Sequence, residues 1–177
     1  MIISLLREQC YNISFLGTTT PVVPTTTIYT NQILNQTSAT TNRQIYLLSS
    51  PLTASPLLSQ VSALYIAQST YETLTFGIRN DPGYTWIDNI SVLSNGHELL
   101  VNGNFEYANN TGWQGASHLG NTCGVCSSYC YNDGVTGNPD YVSQTFQTTP
   151  GSLLYISFYI GWSGSGSAVL ANVTIYP

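Results

Sequence analysis

The 177-residue chain has no lysine, and its cations are three arginines, Arg7, Arg43 and Arg79, set against eight acidic residues. With a pI near 4.5 it offers no basic surface to neutralise a phosphate backbone, which excludes electrostatic nucleic-acid binding. Charge of either sign is scarce, at 6% of residues, where an ordinary globular domain carries roughly 25%. Ser, Thr, Asn and Gln therefore carry the solubility. Long apolar runs are missing too: no stretch approaches the roughly 18 residues of a membrane-spanning helix. Helical periodicity is absent, since no segment shows an amphipathic stripe. Catalytic motifs are absent as well. There is no Gly-x-Ser-x-Gly elbow, His-Glu-x-x-His pair or phosphate loop, and both histidines, His97 and His118, stand in polar loop text. A non-enzymatic protein is expected.

What the chain does contain is alternation. Leu154, Ile156, Phe158, Ile160 and Trp162 share one parity, as do Val169, Ala171, Val173 and Ile175, and Leu74, Phe76 and Ile78. This period of two, filled by β-branched and aromatic residues, predicts strands there and at Gln44–Leu48, Ser62–Gln68, Trp86–Leu93 and Tyr141–Thr148. Turn chemistry separates them at Asn80-Asp81-Pro82-Gly83, Asn95-Gly96, Asn102-Gly103, Asp133-Gly134, Asn138-Pro139 and Pro150-Gly151. Many short strands with such spacers predict an all-β antiparallel sandwich. Asp133 and Asp140, beside Gly134 and Pro139, are expected to shape a loop.

One strand text occurs twice. The Ile-Ser-Phe triplet at Ile13 recurs at Ile156, an offset of 143 residues, and the Thr-Ile-Tyr triplet at Thr27 recurs at Thr174, an offset of 147. Such a period is the length of one all-β domain. The chain thus reads as starting inside one repeat and stopping inside the next, with the boundary near Ser94-Asn95-Gly96-His97.

The text Leu99-Leu100-Val101-Asn102-Gly103-Asn104-Phe105-Glu106, then Gly112-Trp113, resembles the opening strand of galactose-binding-like jelly rolls, a group that includes several carbohydrate-binding module families. Tyr141–Phe146, Thr149-Pro150-Gly151 and Tyr155–Phe158 resemble the second and third strands of that fold. Leu74–Tyr84 and Trp86–Val92 resemble its closing hairpin. The resemblance covers about half the chain, and it implies a jelly-roll sandwich. The order is permuted, because the closing hairpin precedes the opening strand. Residues 1–97 read as the C-terminal part of one sandwich repeat and residues 98–177 as the N-terminal part of the next. Three arrangements are compatible with that: a slice of a tandem array, a circularly permuted sandwich, or half-domains completed by neighbouring subunits through strand exchange.

The resemblance also implies a structural calcium ion, because Asp88 and Glu106 are the acidic members of its two motifs and calcium takes oxygen ligands. Trp113 and Tyr129, in loop-like text, are the candidates to stack on a sugar ring. Cys123, Cys126 and Cys130, with Cys10, read as disulfide partners, one bridge lying within the 123–130 loop and the third cysteine of that loop reaching Cys10 or another subunit. Five sequons, at Asn12, Asn35, Asn89, Asn109 and Asn172, fit a secreted or cell-surface chain. Met1–Leu6 is too short for an export signal, so a truncated start or an upstream leader is expected. The expected function is a non-catalytic extracellular structural or adhesive module whose partner is itself, in a filament or tandem array. The second expectation is a carbohydrate-binding module that recognises glycans.

Overall fold

A computed structural model describes residues 43–48, 58–115, 118–125, 128–133, 136–163 and 168–177. The strands are β1 (Arg43–Leu48), β2 (Ser59–Ile66), β3 (Tyr71–Asp81), β4 (Tyr84–Ser94), β5 (His97–Glu98), β6 (Gln114–Gly115), β7 (Leu119–Gly120), β8 (Cys130–Asn132), β9 (Asp140–Gln147), β10 (Leu153–Ser163) and β11 (Ala168–Tyr176). They form two antiparallel sheets packed as a β-sandwich. One runs β1-β11-β3-β9-β6, and the other runs β2-β10-β4-β8-β7 with β5 added beside β4.

The alternation seen in the sequence sets the inner faces. Leu154, Ile156, Phe158 and Ile160 of β10 meet Leu74, Phe76 and Ile78 of β3 and Ala171, Val173 and Ile175 of β11 in one core. Phe158 sits edge-on to Phe76 with ring centroids 5.1 Å apart and edge-on to Tyr46 at 6.0 Å. Aromatic pairs favour this geometry because the positive ring edge meets the negative face.

The sheets interleave the two parts of the chain. β11 lies between β1 and β3, and β10 lies between β2 and β4. Each strand of the duplicated pair is thus hydrogen-bonded on both sides by strands from residues 43–94. At the sequence boundary the chain is pinned rather than loose. Glu98 Oε1 accepts from the backbone N–H groups of Val92, Leu99 and Leu100, and Glu98 Oε2 accepts from Ser91 Oγ. The first copy, Tyr11 to Thr30, lies outside the described residues.

The expected opening strand over Leu99–Glu106 is not a strand. The segment runs back along β4, with Leu99 N–H bonded to Val92 O and Gly103 O accepting from Ile90 N–H. It then turns through left-handed residues Asn102, Phe105 and Ala108, whose φ angles are 54°, 56° and 54°. Those turns bury Phe105 against Trp113 and Tyr131.

Candidate functional site

Asp88 is brought to the outer face of the six-stranded sheet by a bulge. Ser91 pairs with Ser157 and Asp88 with Tyr159, so Asn89 and Ile90 together oppose Phe158. Asn89 takes the left-handed conformation, φ 46°, and bulges characteristically use such a residue to re-aim a side chain. Ile87 and Ile90 then both enter the core, while Asp88 turns toward the loop 119–131.

There Asp88 Oδ2 accepts from Val125 N–H at 2.7 Å, and Asp88 Oδ1 accepts from Asn89 N–H at 2.6 Å. Glu106 Oε1 accepts from Tyr129 N–H at 2.9 Å. The two acids thereby grip one loop, which a Cys123–Cys130 disulfide closes. Asp88 is fully buried. Burial pushes its carboxyl up to about 7, against the lowering pull of the Val125 and Asn89 N–H groups, and the Glu106 charge pushes it further.

Gly124 leaves room for this arrangement. A Cβ there would collide with Tyr129 O and stand 2.7 Å from both Asp88 Oδ2 and Ser128 Oγ. Three oxygens crowd the space that a side chain at 124 would need, and two of them are already engaged: Asp88 Oδ2 accepts from Val125 N–H, and Ser128 Oγ donates to Val125 O. Among the described residues, no three His, Cys, Asp or Glu side chains cluster as a metal site, so any ion here relies on the two acids with hydroxyl and backbone oxygens. Gly124→Ala is expected to destabilise the fold by about 1–3 kcal/mol through overpacking. A urea melt checks this, and an unchanged midpoint would mean that the loop is not docked on Asp88.

The sugar-stacking candidates fall elsewhere. Trp113 is 6% exposed, with its ring against Phe76 and Phe105 and its Nε1 donating to Asn102 O at 3.1 Å. It is a core residue with no open face. Tyr129 is half-buried and packs against the core. A different aromatic lies open, namely Tyr141 of β9, 55% exposed. It crosses over Gly77 of β3, where a Cβ would stand 2.6 Å from Tyr141 Cε1. The same outer face carries the Thr73–Thr145 hydroxyl pair and the Gln44–Asn172 amide pair. No local pattern in the sequence marks Tyr141, because only the β3–β9 register places it on a glycine.

Of the sequons, Asn109 is exposed, and its Oδ1 accepts from Thr111 N–H. Asn89 and Asn172 are half-buried. Asn12, Asn35, Cys10 and Cys126 lie outside the described residues. Asp133 and Asp140, read as loop-shaping, are both buried. No family model, no curated protein and no solved structure matches the chain.

Proposed function

We propose that the protein is a non-catalytic extracellular structural or adhesive module, a jelly roll of permuted order whose copies join through the duplicated strand pair. One observation carries this reading: the strand pair written twice in the sequence is the pair that each sheet holds between two other strands. A sandwich has room for one copy. At the offset of 147 residues, Pro24 and Thr26 stand where β11 has Ala171 and Val173. Proline has no N–H to give a strand paired on both sides, so the C-terminal copy is the better occupant. On this reading the N-terminal copy engages a neighbour whose own pair has opened. Low charge, the exposed Asn109 sequon and the Cys123–Cys130 bridge support an extracellular setting.

Calcium is the structural ion this reading assigns to Asp88 and Glu106, with Ser128 Oγ and Tyr129 O as further ligands. It would neutralise the paired acids and hold the disulfide loop on the sheet.

The test is light scattering and negative-stain imaging of the full chain and of a chain lacking residues 1–30, each taken through mild urea and back. The full chain is expected to form regular multimers, and the shortened chain to stay near one chain mass. Equal behaviour of the two would overturn strand sharing. A second reading, glycan recognition, is favoured by the Tyr141 platform. Glycan-array binding lost on Tyr141→Ala, while Trp113→Ala changes stability alone, would establish it.

A further inference from the structure

Both ends of the sandwich interior bury acidic side chains. At one end the fully buried Glu72 is closed by its neighbours: Oε1 accepts from Gln68 and Ser69 N–H, and Oε2 accepts from Tyr65 Oη at 3.1 Å. At the other end oxygens accumulate. Asp133, 2% exposed, follows β8 of the six-stranded sheet, and Asp140, 5% exposed, begins β9 of the five-stranded sheet.

Asn80 of β3 joins them, with its backbone N–H donating to Asp133 Oδ2 at 2.6 Å. Its side-chain Nδ2 donates to Tyr84 O and Ser163 O, which fixes the amide orientation. That leaves Asn80 Oδ1 buried without a hydrogen-bond partner among the described residues. Tyr131 of β8 is fully buried, and among the described residues its hydroxyl has no hydrogen-bond partner. Tyr131 stands two residues before Asp133, and both side chains are buried while Asn132 between them is only partly so. At the rim, His118 Nε2 is 3.9 Å from Asp140 Oδ2.

Asp140 lies across from Ile78, two residues from Asn80, whose N–H holds Asp133. No three His, Cys, Asp or Glu side chains cluster there among the described residues, so an ion would rest on these two carboxylates with the amide oxygen and the hydroxyl. Nitrogen and sulfur ligands select transition metals, whereas oxygen sets of this kind select hard cations. Buried polar oxygens without donors are otherwise costly. We propose that this end of the interior is a separate site for a hard divalent cation of the calcium class, held by Asp133 and Asp140 with Asn80 Oδ1 and the Tyr131 hydroxyl as neutral ligands. The ion would tie the two sheets together at a point where the core gives way to polar residues.

The test uses calcium chloride in solution and terbium chloride in crystals of the full chain. Calorimetric titration is expected to show a binding event that Asp140→Asn removes and Asp88→Asn leaves in place. Tyr131→Phe, which keeps the ring in the core, is expected to weaken that event. Anomalous diffraction from terbium-soaked wild-type crystals needs no variant to fold, and it should give a peak between Asp133 and Asp140. Ordered water at that point with no anomalous signal overturns the site, as does calcium binding unchanged by Asp140→Asn. A peak here and none at Asp88 upholds this site and removes the one proposed at Asp88 and Glu106. A peak at Asp88 alone does the reverse.

Discussion

In calcium-free buffer the folded chain is expected to gain stability as the pH falls from about 8 to about 5. The cause is Asp88. Its carboxyl, ordinarily at 3.8, is pushed up to about 7 by burial. The folded state therefore binds this proton more tightly than the unfolded state does, throughout the interval between those values. Above about 7 both states are ionised, and folding carries the full penalty of a buried charge. As the pH drops through that interval the folded state takes up its proton first, and the penalty is progressively lost. The gap corresponds to roughly 4 kcal/mol, an upper limit because water at the exposed Glu106 edge screens part of it. Calcium acts in the opposite sense. A cation between Asp88 and Glu106 favours the ionised forms, so added calcium should raise the melting temperature at pH about 8 far more than at pH about 5. Calorimetric melts at four pH values, with chelator and with calcium, read both effects. Acid destabilisation in chelator over this window would show that Asp88 does not control it. Identical curves with and without calcium would remove the ion from the site.

The strands were legible because each carries its own evidence. Leu154, Ile156, Phe158 and Ile160 alternate with Tyr155, Ser157 and Tyr159 along one stretch of chain, and the structure buries the first set in the core. Features that depend on a partner distant in sequence were not legible. Asp88 could be named from its motif, but its burial depends on the Asn89 bulge and on Val125, 37 residues away, folding back over it. The Asn102-Gly103 turn signal was present within the supposed opening strand. The left-handed turns at Phe105 and Ala108 were not readable, because neither residue favours positive φ in isolation. Trp113 sits in polar text and resembles a loop aromatic until Phe76 and Phe105 are seen to cover it. Asp133 and Asp140 look like turn formers beside Gly134 and Pro139. Their burial follows from the two sheets closing over that end, which no local pattern encodes.

Phe158→Ala is expected to cost about 3–5 kcal/mol of folding stability, while Phe15→Ala, at the matching position of the first copy, should cost the single chain almost nothing. Phe158 is fully buried, stacked edge-on between Tyr46 and Phe76, and borne by a strand paired on both sides. Its loss removes a large ring, leaves a cavity that a double-sided strand cannot close, and forfeits the edge-to-face contacts, worth about 0.5–1.5 kcal/mol each. Urea melts of dilute protein measure both variants. The reverse ranking would place the N-terminal copy in the slot and leave β10 as the surplus strand. Under multimer-forming conditions the asymmetry should shrink, because a neighbour's slot is then filled through Phe15. Phe15→Ala should accordingly lower the multimer yield while leaving the melt of the single chain unchanged. If it changes neither, the duplicated strand has no part in joining copies.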